Sequence, residues 1–461
     1  MIFNTFAYFL LFLAPAAVLF RLVRPVAQPW VCLLFGGAFF VFFSLTQVGG
    51  IAGACCLLIF IWESIFSRFY KPGSLLCLIG IAQTILFLVV FKYWNFLTGL
   101  LFAPMGRNPL HWSGAFLPLG ISFFTFEFIH YAFDRYRGTT PPGKFGQYLA
   151  FILFFPTMVA GPIKRYQDFL PKLAQPSLAW QMDWQQGLTR ILSGLAKKFV
   201  VADLLTAFTN HLNRHDISQA RRWVLPLWLL AYGMKIYADF SAYSDIAIGS
   251  ARLFGIRVPE NFDWPYLRTN IAEFWRHWHM SLYRWLVDYV FIPLGGSRTS
   301  PPRVYVNVLI TMFLSGLWHG AGLNFIVWGL WHGMLLAVHR FWSNWRADKA
   351  SLRLLAVPAI LIGEPTALPH SSDRFRAATT FSPSPPQAEE RAGVRGPLVL
   401  EPGSPLPAQV GRRELRADSP SSPWGRIMSW ALTFVMVNLG WAFFCMDLPT
   451  SLYFFRRLFL G

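Results

Sequence analysis

The sequence predicts an all-helical fold that crosses a membrane many times, and three observations predict it. Of 461 residues, 55% are apolar and 18% aromatic, while only 13% are charged, about half the charged share of an ordinary soluble domain. The apolar residues recur in runs close to the roughly 20 residues that carry a helix across the hydrocarbon core of a bilayer. Lys and Arg fall in short clusters between those runs, where cytoplasmic loops of membrane proteins carry them. A soluble chain of this length could not hide so much apolar surface, whereas lipid solvates it.

In chain order the candidate spans are residues 2–20, 29–45, 50–66, 75–91, 117–133, 148–159 with its flanks, 191–208, 223–237, 304–317, 324–341 and 430–444. A run at 354–362 is too short to span. This makes about ten to twelve membrane segments, some broken or re-entrant. The first run has neither the basic lead-in nor the small-residue cleavage site of a secretory signal, so it reads as a retained helix. Arg21 and Arg24 follow the first span, Arg68 and Lys71 the third, and Arg135, Arg137 and Lys144 the fifth, while residues 46–49 carry no charge. The positive-inside rule then puts the N-terminus outside and the odd-numbered exits in the cytoplasm.

Residues 364–423 break the pattern. Eleven prolines among Ser, Arg and Glu, without an apolar period, predict a disordered insert that cannot bury enough surface to offset chain entropy. It interrupts what is otherwise one membrane domain, residues 1–363 and 424–461.

The net charge of +18 would fit a nucleic-acid binder, but no polar domain carries a basic stripe, and that class is excluded. Cys32, Cys55, Cys56, Cys77 and Cys445 lie in or beside apolar runs. None has metal-ligand or redox spacing, so they read as small hydrophobes and no metal site is expected.

Ionisable groups at membrane depth are costly and mark function by default. They concentrate between residues 237 and 333, beginning with Asp239 and Asp245 in YADFSAYSDIAIG. Residues 270–288 predict one helix with Glu273, Arg276 and His277 along one side and Trp275, His279 and Leu282 along the adjoining side. Such a helix lies at the interface or lines a cavity. His319 follows an uncharged run, residues 304–318, long enough to carry it into the membrane interior. A neutral imidazole there can take the proton of an alcohol, as general-base catalysis of acyl transfer requires. Gly316, Gly320 and Gly322 are expected to leave room for substrate. A buried His is more often a packed core residue, and His130, His332 and His339 are read that way. Pro118 and Gly120 in 117–138, and two prolines around Ala160 and Gly161, predict broken helices, either simple kinks or backbone lining a cavity.

Several strings carry a resemblance: FKYWNF (91–96), LPLGISFFTF (117–126), PTMVAGPIKRY (156–166), YADFSAYSDIAIG (237–249), FWRHWHMSLYRWLVDYVFIPLGG (274–296), GLWHG (316–320) and NLGWAFF (438–444). Together they resemble the membrane-bound O-acyltransferases (MBOAT), and within them the bacterial alginate O-acetylase branch. The resemblance implies a ring of helices around a thin floor, with a tunnel leading to a catalytic histidine that matches His319. The second family histidine, in WHMS, matches His279. It implies a multi-pass protein of the cell inner membrane that takes acetyl from a cytoplasmic donor, acetyl-CoA or another acyl thioester, with no bound cofactor. Periplasmic acetyltransferase partners would then place the group on an exported polysaccharide such as alginate. A related branch passes D-alanine to teichoic acid. Relatives join the last helices by a short loop, so the 364–423 insert departs from the pattern.

The expected site is therefore His319 with His279 as catalytic residues. Asp245, Glu273, Trp318 and Asn324 are expected to support it or line the tunnel, and Lys164 and Arg165 to face the donor. A transporter or lipid flippase would use a similar polar cavity without chemistry. The paired halves common in transporters are not visible, and consumption of an acyl thioester by the purified protein would separate the two.

Overall fold

A computed structural model describes residues 2–47, 50–106, 119–176, 179–355 and 422–461, and every regular element among them is helical. The predicted insert lies outside the described residues except for its last two. Met1–Arg340 and Pro420–Gly461 form one compact unit, separate from Phe341–Ser419. Everything below belongs to the first.

Among the described residues, three helices are long and apolar enough to cross a bilayer: Pro25–Thr46, Leu75–Met105 and Pro423–Cys445. Leu10, Leu34, Leu58 and Leu86 stand exposed on their helices, an arrangement that lipid tolerates and water does not. Other predicted segments carry charges or breaks. The helix Trp180–Ala196 continues through a π-helical turn, Lys197–Ala202, and packs on the long helix Leu225–Leu253. Gly187 and Gly249 face each other at that crossing, and a Cβ on either would strike the other's carbonyl. Small residues let the backbones meet closely. The charges pair across the same seam: Arg190 and Lys197 each hold Asp245 at 2.6 Å, and Lys198 holds Asp239 at 2.8 Å.

Three sequence expectations are corrected here. The span expected to stop at Phe91 runs on through Lys92 to Met105, with residues Val89–Tyr93 in a π-helical turn. Residues 270–288 are not one helix. Ile271–His277 ends, His279 adopts φ +45°, and Met280–Leu286 begins anew. The break is held from outside: Met280 N–H donates to the Asn261 carbonyl at 2.9 Å, and Ser281 Oγ donates to Asn261 Oδ1 at 2.6 Å. Tertiary hydrogen bonds here override the local helical pattern, so His279 leaves the face it was expected to share. Finally, Gly316 makes room for protein, whereas Gly320 both packs on protein and borders a cavity beside His319. A Cβ on Gly316 would meet the Phe325 carbonyl and Gly329, and one on Gly320 would meet the Phe325 ring.

The expected breaks in 154–166 are present. Phe145–Ile152 and Phe155–Met158 are short, and the next helix starts at Tyr166. Side chains satisfy the freed backbone: Ile163 N–H donates to Ser281 Oγ at 3.0 Å, and Tyr166 N–H to His130 Nε2 at 3.1 Å. Gly120 opens the helix Ile121–Arg137 in a left-handed conformation, φ +73°. Leu117 and Pro118 lie outside the described residues.

Candidate active site

The helix Pro301–His319 starts with two prolines, whose missing N–H groups cost nothing in a first turn. It stops at His319 because Gly320 is extended, φ −168° and ψ 156°. The last carbonyls of such a helix have no partner of their own, and at membrane depth there is no water to serve them. Two consecutive residues of the Leu75–Met105 helix do so. Tyr93 Oη donates to the Leu317 carbonyl at 2.6 Å, and Lys92 Nζ donates to the Trp318 carbonyl. Lys92 also donates to Ser122 Oγ at 3.1 Å, and Trp318 Nε1 donates to the Ser122 carbonyl at 3.2 Å. Three elements distant in sequence are thereby joined at the end of the histidine helix.

The His319 ring stands among three aromatic rings. Trp318 lies 4.7 Å away between centroids, Trp328 5.0 Å and Phe444 4.9 Å. Phe444 comes from Pro423–Cys445, so the helix beyond the insert is seated in the site, with Trp441 buried beside it. His319 itself is half-buried and opens on two cavities. One, of about 350 Å³, has Lys92, Asn95 and Gly320 in its wall. The other, of about 460 Å³, is walled mainly by aromatic residues, including Phe240, Trp278, Trp318 and Trp441, with Lys235 and Asp239 at its polar edge. One imidazole shared by two cavities lets two molecules meet at one base. Lys235 donates to Thr209 Oγ1 at 3.2 Å, and Asp239 pairs with Lys198.

The other sequence candidates fall as follows. Trp318 lines the larger cavity and packs on His319. His279 is buried one ring behind that cavity, 4.6 Å from Phe240 and 6.1 Å from Trp318, with Nε2 lacking a partner among the described residues. Asn324 donates to the Phe443 carbonyl at 3.1 Å and so ties the last helix to the site. Asp245 is held in the Arg190 and Lys197 pairs. Glu273 lies in the first turn of Ile271–His277, where its N–H meets the capping Asn270 side chain at 2.8 Å. Lys164 is buried in an ion pair with Glu127, and Arg165 pairs with Asp288. These five do not line either cavity described. Lys92, Phe240, Trp328 and Phe444 do line them and were not foreseen. Lys92 had a readable signal, a lone cation inside a long apolar run, which ending the span at Phe91 concealed.

A profile of the membrane-bound O-acyltransferase family matches residues 35–361. The chain belongs to that family. MBOAT proteins are polytopic membrane proteins, which accounts for the spans and the exposed apolar faces together. The MBOAT chain is 40% identical over 275 residues to a probable alginate O-acetylase, AlgI, of Pseudomonas putida, covering 59% of this chain and 56% of the relative. It is 34% identical over 298 residues to a peptidoglycan O-acetyltransferase of Helicobacter pylori, covering 58% and 55%. It is 30% identical over 279 residues to a teichoic acid D-alanyltransferase of Bacillus subtilis, covering 58% and 68%. The chain thus spans about half the length of the alginate O-acetylase relatives it matches.

Proposed function

We propose that this protein is a membrane O-acyltransferase that moves an acetyl group toward an exported polysaccharide such as alginate. The observation that carries the reading is the position of His319, one imidazole opening on two cavities. An acyl thioester, acetyl-CoA or a similar donor, enters by one cavity and an acceptor hydroxyl by the other. His319 takes the hydroxyl proton as oxygen attacks the acyl carbon, and returns it to the leaving thiolate. The aromatic walls exclude water, which protects the acyl group from hydrolysis and strengthens the electrostatic contacts around it. His279, behind the wall formed by Phe240 and Trp318, fixes those rings. The protein sits in the cell inner membrane, with the donor on the cytoplasmic side. The acceptor is the polymer itself or a periplasmic acetyltransferase partner that completes the transfer.

The alginate assignment rests on the greater identity to alginate O-acetylases than to the D-alanyltransferase, whose chemistry is the second reading. A His319→Ala variant should reach the membrane at normal levels and leave the exported polysaccharide without acetyl, as read by mass analysis. Acetylation at wild-type level would reject the proposal, and D-alanyl ester in its place would favour the second reading.

A further inference from the structure

The acyl-transfer reading gives His319 a proton to move but leaves the acyl oxygen without a partner, and Lys92 lines the same cavity as His319. Its ammonium has three N–H donors. One meets the Trp318 carbonyl and one the Ser122 hydroxyl. The third has no acceptor among the described residues, and Lys92 lines the cavity that also holds His319. A neutral donor would suffice to cap a helix end, as the Tyr93 hydroxyl does for the adjacent Leu317 carbonyl. A cation is used instead, and among the described residues no carboxylate pairs with it. Lys164, Lys197 and Lys198 each have one. An unneutralised charge inside a span is costly to keep, and a site that develops negative charge in its transition state repays that cost.

We propose that Lys92 is a further catalytic residue, whose ammonium stabilises the oxyanion formed on the acyl carbonyl. The inference rests on the acyl-transfer function above. In the step, the acceptor oxygen bonds to the acyl carbon and its proton passes to a ring nitrogen of His319. The carbonyl π pair moves onto oxygen, where the third N–H of Lys92 donates to it. The C=O then re-forms, the C–S bond breaks, and the departing thiolate takes the proton from His319. The two fixed hydrogen bonds hold the ammonium before substrate arrives, so no reorganisation is needed during reaction.

The test compares Lys92→Met, Lys92→Gln and Lys92→Arg in the purified full chain, following release of coenzyme A from acetyl-coenzyme A, with thermal unfolding in detergent measured alongside. Glutamine keeps a neutral donor for the Trp318 carbonyl and removes the charge, whereas arginine keeps both donors and charge. Met and Gln should each lower kcat by about 100-fold with KM changed less than about threefold, and Arg should recover a large part of the loss. A glutamine variant with wild-type kcat would reduce Lys92 to a helix cap and overturn the proposal while leaving the function intact. No thioester turnover by the wild-type protein, with acetyl-coenzyme A or with an acyl-carrier thioester as donor and an acceptor hydroxyl present, would overturn both.

Discussion

Trp328 stands between two histidines, its ring centroid 5.0 Å from that of His319 and 5.0 Å from that of His332. The two WHG tripeptides of the sequence thus meet across one indole. Trp328 is fully buried and faces the larger cavity, so it supports the fold and shapes the site at once. Trp328→Ala should destabilise the protein by about 3–5 kcal/mol, the usual cost of emptying a buried aromatic position. It should also lower acyl transfer, whereas Trp328→Phe should keep most of the stability. Thermal unfolding in detergent, paired with donor turnover, checks both.

His279 occupies a left-handed backbone position, φ +45°, that costs an L-residue roughly 1–2 kcal/mol and glycine almost nothing. The two substitutions that remove its ring should therefore separate. His279→Gly should be more stable than His279→Ala by about 1 kcal/mol, while their activities fall together. Equal stability would mean that the break at His279 relaxes once the ring is gone. Asn261, which holds the break, is buried and bonded to Ser244 and Ser281. Asn261→Ala should cost about 1–3 kcal/mol through the polar groups it strands.

Lys164 and Glu127 form an ion pair with both side chains nearly inaccessible, 2% and 6% exposed. Removing one partner strands a buried charge, so Glu127→Ala should cost about 3–5 kcal/mol. Replacing both with Leu at 127 and Met at 164 should recover much of that loss. Unfolding measurements on the three variants decide this. If Lys164 instead held the acyl donor, the double variant would fold normally but show a sharply raised KM for acetyl-coenzyme A.

The helix Leu448–Phe459 follows the last span and is capped by Asp447, whose Oδ1 accepts from Thr450 N–H at 2.8 Å. That hydrogen bond holds its carboxyl below the usual carboxylate range. A lowered native pKa contributes stability that is complete above the unfolded carboxylate pKa and fades as pH falls through the native one. Asp447→Ala should cost about 1 kcal/mol at neutral pH, and the difference from wild type should shrink in acid. Asp447→Asn should keep the cap without that acid dependence. Thermal scans across pH check the sign.

Much of the fold could be read along the chain because membrane depth imposes a local rule: about 20 apolar residues in a row, with charges between runs. His319 could be read for the same reason, as an ionisable group at the end of an uncharged run. Lys92, an ionisable group inside an apolar run, carried the same signal, but the expected span ended one residue before it, at Phe91. Asp245 was selected as a polar residue at depth, and Lys164 and Arg165 as cations facing the donor, but such residues either serve a site or neutralise one another. Only the pairs with Arg190, Lys197, Glu127 and Asp288 tell which.

By itself the sequence determined the helical class, most of the apolar segments and the imidazole at position 319, all properties of neighbouring residues in one run. The tertiary structure decided which residues share the cavities with His319, why His279 leaves its helix, and how Lys92 and Tyr93 close the end of the histidine helix. In a membrane interior without water, each unpaired backbone or charged group must find its partner within the protein, and for the Trp318 carbonyl that partner, Lys92, lies 226 positions away in the chain.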